Sequence, residues 1–446
     1  MKEATLKQIL DNREIRAARQ AELGRAFQTP VLSFTMNIAG PVKVTPLIER
    51  GFREGLQQLK ASLPEDTVFH REEKVEVTGC EALFAVAMNA RDLKDICTTI
   101  EEAAPLGRLF DLDVIDVQGR KLSRKEERCC LICGIPGKGC SARRLHPVEA
   151  LQEKTRQILE QHFSAADAAE IGRVARESLI EEVSATPKPG LVDRQNNGSH
   201  RDMTLFTFLA SAEALEPFFE RCVQIGRETA GCSPDVTFSR LRAAGILAEG
   251  DMIRATGGVN THKGIIYSLG TICGAWGRLR QADGKAVSLE ELFGLCSELA
   301  GPAAAADFAV GAGDTAGMRW FLEKGITGIR GEVAGGFPSG RKVALPQFAF
   351  ARKNGLSREE SGIYALLHLI AAMDDTTLLH RGGAEGARWA KEAAGRLLTS
   401  SFFPGMEDLE ALDRQFIARN LSPGGAADLL AVTFFLTTLM DMGFLK

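Results

Sequence analysis

Three acids stand at alternate or near-alternate positions in "GRLFDLDVID", residues 107–116: Asp111, Asp113 and Asp116, set among residues that favour strands. Alternate side chains of a strand leave the same face, so Asp111 and Asp113 can grip one ion together while Asp116 faces the other way. Oxygen donors at that spacing suit Mg²⁺, which shares its coordination with substrate phosphates, and two-metal phosphoryl or nucleotidyl transfer is the chemistry that follows. A water-facing strand edge would carry the same alternation. Downstream, "ERCCLICGIPGKGCSARRLHPVE" brings Cys130-x-x-Cys133, Cys140 and His146 into a short span. Zinc can use that ligand composition, although the spacing matches no finger pattern, and thiols packed as small hydrophobes are the alternative. Arg143 and Arg144 beside them form either a solvated face or an anion contact.

Four further stretches are more polar and irregular than helix packing needs: "TPKPGLVDRQNNGSHRDM", "ATGGVNTHKGIIYSLG", "RGEVAGGFPSGR" and "NLSPGGAADLLA". Each sets Gly or Pro beside charged or amide groups, and a helix starting after such a stretch offers unpaired N–H groups and partial positive charge to a phosphate. In the first, Lys188, Arg194, His200 and Arg201 can counter a polyphosphate, and Asp193 or Asp202 can hold Mg²⁺; a long solvated loop is the alternative. In the second, Gly257 and Gly258 precede Asn260, His262 and Lys263. Lys263 then stands at a helix start as a triphosphate ligand, and His262 is either a base or a satisfied structural histidine. Neither stretch has the Walker spacing, which excludes a P-loop. In "MDDTTLLHRGG", Asp374 and Asp375 follow a helical apolar run and precede His380 and Arg381. Acids at a helix C-terminus oppose its dipole, so this pair either binds Mg²⁺ or faces water. Asp428, after Gly424 and Gly425, reads as a helix cap.

The elements that must position these residues fall into two textures. At 446 residues the chain is long enough for two cores. Up to about residue 146, strand signals ("TPVLSFTMNIAGPVK", "HREEKVEVTG", "EALFAVAMNA", "LFDLDVIDV") mix with a charged N-terminal helix and the helix "ARDLKDICTTIEEA". This half reads as α+β. From Pro147 the texture is helical, with Ile171, Val174, Ala175, Leu179 and Val183 on one face. A turn at Phe163-Ser164, with Ser164 capping the next helix, is the expected boundary. Leu429–Met440 is too short for a span and reads as a buried helix. With a net charge of -4, nucleic-acid binding is not the main task. The start lacks a signal peptide's apolar core, so a cytoplasmic protein with no membrane partner is expected, and the ten cysteines are expected to be reduced thiols or metal ligands.

Residues 1 to about 160, through "RAARQ", "LSFTMNIAGPVK", "GRLFDLDVIDVQGRKLSR" and "RCCLICG", resemble the holo-citrate lyase synthase family, the apo-citrate lyase phosphoribosyl-dephospho-CoA transferases. The resemblance implies an N-terminal α+β, nucleotidyltransferase-like domain. It would attach a phosphoribosyl-dephospho-CoA arm to a serine of the citrate lyase acyl carrier (gamma) subunit and release pyrophosphate, with Asp111 and Asp113 as Mg²⁺ ligands. From about residue 165, the four polar stretches and "DDTTLLHRGG" resemble triphosphoribosyl-dephospho-CoA synthase. That family joins ATP to 3'-dephospho-CoA and releases adenine. It has an Asp-Thr-Asn-like sequence where this chain has Asp374-Asp375-Thr376-Thr377.

The resemblance therefore implies a fusion, with residues 1–164 as transferase domain and 165–446 as an all-α synthase domain. Lys188, Arg194, Arg201 and Lys263 would hold the triphosphate, and an Asp or His would take the proton of the attacking hydroxyl. Two other classes fit the basic loops alone: a non-catalytic nucleotide or CoA sensor, and an ATP-dependent kinase.

Overall fold

The computed structural model describes residues 2–135, 140, 143, 145–310, 322 and 325–446. They form two compact units, one of residues 1–165 with 282–284 and one of residues 166–281 with 285–446.

The first unit is a four-stranded antiparallel sheet with helices. Strands β1 (Val31–Met36), β2 (Val68–Glu76), β3 (Gly79–Val86) and β4 (Phe110–Ile115) stand in the order β2-β3-β1-β4. Period-2 patterning decides the faces: Phe110, Leu112 and Val114 of β4 are buried, while Asp111 and Asp113 are half-buried on the opposite face. The apolar face packs beneath α2 (Pro46–Ser62) and α3 (Ala90–Ala103), with Phe34 stacked on Phe52 and edge-on to Phe110. Helix starts follow their caps. Thr5 and Gln8 close a capping box on α1 (Leu6–Phe27), Thr45 caps α2 ahead of Pro46, and Asn89 caps α3.

β4 is an edge strand, and α3 closes its open side. Leu112 donates its N–H to Glu101 Oε1 at 2.8 Å and accepts Lys94 Nζ on its carbonyl at 2.7 Å. Both side chains are about 3 % exposed. Arg124 and Arg128 ion-pair with Glu101, so the buried carboxylate is compensated.

The second unit is helical among its described residues, and its core is built by long helices with large apolar faces. The segment expected to turn at Phe163-Ser164 is instead one helix, α4 (Val148–Ser184), and Ser164 lies inside it and not at a helix start. The apparent break arises because α4 changes partners. Leu159 and Phe163 belong to the first unit's core, whereas Ala168, Ile171, Val174, Ala175 and Leu179 belong to the second. The expected face of the second half is buried throughout.

Next come α5 (Leu205–Glu228), α6 (Pro234–Ala255), α7 (Lys263–Leu279), α8 (Leu289–Val310), α9 (Gly328–Ala334), α10 (Leu345–Lys353) and α11 (Arg358–Ala372). The last three are α12 (Thr376–Ser400), α13 (Met406–Ala418) and α14 (Gly424–Asp441). Helix α14 has the length and apolar composition to cross a membrane. In the fold it is a core helix, with Leu429, Leu430, Phe434, Phe435 and Leu439 all buried. All ten cysteines are free thiols.

Candidate active sites

In the first unit, register places more chemistry around the acidic strand than its spacing discloses. Thr35 of β1 stands opposite both Asp111 of β4 and Glu81 of β3, so these three side chains share one face of the sheet. Lys74 of β2 continues the row opposite Glu81. Glu81 is buried and takes hydrogen bonds from Asn12 and Arg16 of α1. Asp113 Oδ2 accepts Lys121 Nζ at 2.5 Å. Asp116 lies past the strand, where its carboxylate takes the N–H groups of Gln118 and Arg120 and an ion pair from Arg120.

Asp111 and Asp113 line a cleft of about 1030 Å³ together with Asn37, Arg108, Lys121, Cys130, Cys140 and His146. The sulfurs of Cys130, Cys133 and Cys140 and a ring nitrogen of His146 gather within 4.8 Å of one another. Arg143 is exposed; Arg144 lies outside the described residues. The sequence reading missed Glu81, Asn12 and Arg16, because a carboxylate inside the apolar run "EALFAVA" shows its partners only when α1 is docked.

In the second unit, two of the polar stretches interlock with each other and with the "DDTTLLHRGG" segment. Asp413 of α13 accepts Gly190 N–H at 2.8 Å and Asn196 Nδ2 at 2.9 Å. Ser199 donates to the Leu421 carbonyl at 2.6 Å, and His200 Nε2 is 2.9 Å from Ser422 Oγ. Arg381 donates to the carbonyls of Ser199 and Asn420. Asp193 is buried and committed to its own turn, accepting the N–H groups of Lys188, Gln195 and Asn196. Asp202, Arg201 and Asn260 are exposed, as are Gly257 and Gly258. Arg194 pairs with Glu359.

The acid pair Asp374-Asp375 lies at the start of the next helix and not in the end of the preceding one, because α11 stops at Ala372. Asp374 is exposed and 2.5 Å from Lys391. Asp375 is buried and N-caps α12 through the N–H groups of Thr377 and Leu378, and it also accepts Ala426 N–H of α14 at 2.9 Å. Gly424 and Gly425 make that approach fit: a Cβ on either would sit 3.1 Å from Thr377 Oγ1 or Asp375 Oδ2 respectively. The helix dipoles therefore favour a carboxylate at Asp375, which meets two helix N-termini. Asp428 is not the cap of α14, whose N-cap is Pro423. It stands one turn further in.

Asp428 Oδ2 occupies the place where Gly264 of α7 lacks a side chain, 1.9 Å from the position of a Cβ. Burial and the charges of Glu182 and Asp375 push its carboxyl well above the ordinary value. Glu182, also raised by burial, holds Lys188, whose Nζ lies 2.6 Å from Glu182 Oε1 with the side chain 1 % exposed. His262 is buried, with Nδ1 2.7 Å from Ser211 Oγ and Nε2 without a protein hydrogen bond. Burial, with Lys188 as like charge, pushes it down to about 3, so it is a neutral imidazole. Lys263 points elsewhere: its Nζ is 2.8 Å from Glu249, and the two line a smaller pocket with Arg242, Tyr267, Asp307 and Arg330. Glu182 escaped the sequence reading because it sits within a helix among other acids.

This arrangement can be set beside known proteins. The family described as ATP:dephospho-CoA triphosphoribosyl transferase (CitG) matches residues 168–444, and the family described as apo-citrate lyase phosphoribosyl-dephospho-CoA transferase (CitX) matches residues 4–162. Protein CitXG of Haemophilus influenzae is 37% identical, over 97% of this chain and 95% of its own length. Protein CitXG of Leuconostoc mesenteroides subsp. cremoris is 34% identical, over 98% and 97%. The 2-(5''-triphosphoribosyl)-3'-dephosphocoenzyme-A synthase of Escherichia fergusonii is 38% identical over 61% of this chain and 92% of its own length.

Proposed function

The chain belongs to the CitXG family, a CitX-type unit followed by a CitG-type unit, and from that premise we propose how its two sites divide the work. It is a bifunctional transferase that makes the citrate lyase prosthetic group and attaches it. ATP and 3'-dephospho-CoA give 2'-(5''-triphosphoribosyl)-3'-dephospho-CoA and adenine; the phosphoribosyl-dephospho-CoA arm then passes to apo-citrate lyase with release of pyrophosphate. The observation that carries this is the pair of family matches lying end to end along one chain.

Residues 165–446 are proposed to carry the first reaction. The 2'-hydroxyl oxygen of dephospho-CoA attacks the anomeric carbon of the ATP ribose, the bond to adenine breaks, and adenine leaves with its electron pair. Asp428, in its ionised form, takes the hydroxyl proton, since burial makes its carboxylate more basic than that of an exposed acid. Glu182, ion-paired with Lys188, is a like charge that raises that acid, and neutral His262 offers Nε2 as an acceptor. Arg194 and Arg201, both exposed, are the cations proposed for the triphosphate, and Lys263 serves the separate pocket that it lines.

Residues 1–164 are proposed to carry the second, nucleotidyltransferase-like reaction, in which a serine oxygen of the acyl carrier (gamma) subunit attacks the innermost phosphorus and pyrophosphate leaves. The donors fit Mg²⁺: Asp111 and Asp113 offer carboxylate oxygens from one face into a cleft also lined by Arg108 and Lys121. Bound there, the ion would neutralise phosphate charge. The residues' own part is to orient the triphosphate and, through Lys121, to balance Asp113 when phosphate is absent. The reading implies a cytoplasmic enzyme.

Chromatography of ATP, 3'-dephospho-CoA and Mg²⁺ incubated with the chain tests the assignment. Adenine appearing only with dephospho-CoA is expected. ADP in its place would mean a kinase, and ligand binding without turnover would mean a sensor.

A further inference from the structure

We propose that Cys130, Cys133, Cys140 and His146 hold one zinc ion, which fastens the segment following β4 beside the acidic cleft. Cys133 Sγ already stands at coordination spacing from two of the other ligand atoms. Cys133 Sγ is 3.4 Å from Cys140 Sγ and 3.4 Å from His146 Nε2, and all four lie within 4.8 Å of one another. A tetrahedral ion with bonds of about 2.3 Å to sulfur and about 2.0 Å to nitrogen separates its donors by roughly 3.5 Å. A disulfide would need its sulfurs at about 2.05 Å.

The backbone around the first two ligands is an independent observation. Ile132 donates its N–H to Cys130 Sγ at 3.5 Å, Gly134 donates to the Cys130 carbonyl at 3.1 Å, and Cys130 N–H reaches the Ile135 carbonyl at 2.6 Å. Gly134 adopts φ +73°, a left-handed turn that a side chain would strain. The chain therefore doubles back to bring Cys133 beside Cys130, with an N–H aimed at a sulfur, the support a metal-bound thiolate takes from its surroundings. Three thiols and an imidazole select zinc over Mg²⁺ or Ca²⁺; on binding, the thiol protons pass to solvent.

The same segment reaches the acids of β4. Arg108 donates to the Cys129 carbonyl, Arg124 and Arg128 pair with Glu101, and Glu101 holds the N–H of Leu112 between Asp111 and Asp113. Zinc would thus act on the attachment site by positioning, a consequence that rests on the attachment reading. Metal binding does not rest on it.

Full-length chain purified without chelator should contain one zinc per chain by elemental mass spectrometry, and cobalt put in its place should show the visible absorption of a tetrahedral thiolate site. In chelator competition Cys133→Ser and His146→Ala should each weaken zinc binding about tenfold or more. Cys232→Ser, an exposed thiol outside the cluster, should not. Wild-type chain that stays metal-free after reduction and dialysis against zinc would overturn the site, as would unchanged affinity in Cys133→Ser. Should Cys133→Ser fail to fold, chelator extraction and refilling of the wild type decides the same point. Attachment should fall about tenfold in Cys133→Ser while adenine release is unchanged; zinc bound by these ligands with attachment unaffected would overturn the fastening role. A wild type that binds zinc yet attaches nothing would defeat the attachment reading and leave the metal site standing.

Discussion

Asp428 is held against stability. Its folded carboxyl is raised above the ordinary value by burial and by Glu182 and Asp375, so folding favours the protonated form, and the cost of the buried charge is present in full above the folded value. Asp428→Asn should therefore raise the unfolding free energy measured in urea at alkaline pH, by about 1 kcal/mol in the range usual for relieved active-site groups, with the gain fading as pH falls toward the ordinary carboxylate range. Adenine release should drop about a hundredfold or more. A destabilised variant with normal turnover would instead make Asp428 structural. His262 gives the opposite slope. Its folded value of about 3 lies below the ordinary 6.5, so the unfolded chain binds the extra proton and stability is lost as pH falls through that window. In His262→Asn, the decline in urea midpoint from pH 7 to pH 5 should be shallower than in wild type, Lys188 being present in both.

At the scale of elements, the edge of β4 depends on α3. Removing Glu101 leaves Leu112 N–H without its acceptor and Arg124 and Arg128 without their buried partner. Glu101→Ala should lower stability by about 3 kcal/mol in urea unfolding and depress attachment more than adenine release. How much of this was legible follows from the range of each interaction. The strands and α3 were readable because alternation and helical spacing are local, and Asp111 and Asp113 fell on one face as period 2 requires. The second face of α4 was readable too, yet its continuity was not. A helix that trades one core for another looks like two helices, and a lone Ser's preference for a cap yields to packing on both sides. Glu81, Glu182 and Asp428 escaped for a different reason. Their significance comes from burial and from partners tens to hundreds of positions away, and Asp428 after Pro-Gly-Gly resembled a cap until Asp375 proved to serve the N-termini of both α12 and α14.

For the whole molecule, the order of reactions runs against the order of the chain, since the product of the later residues is the substrate of the earlier ones. Each unit has its own core and its own set of acids, so the two steps should separate by mutation. Asp111→Asn or Asp113→Asn should abolish transfer to the carrier and leave adenine release at the wild-type rate, while Asp428→Asn should do the reverse and still attach pre-formed triphosphoribosyl-dephospho-CoA. The intermediate is a polyanion, and fusion can raise its local concentration without making diffusion impossible. An equimolar mixture of Asp111→Asn and Asp428→Asn chains should accordingly convert ATP, dephospho-CoA and apo-carrier to holo-carrier. Its rate should rise with enzyme concentration and approach that of the wild type, as followed by the mass of the carrier. A mixture that released adenine and accumulated intermediate without labelling the carrier would show that transfer occurs only within one chain.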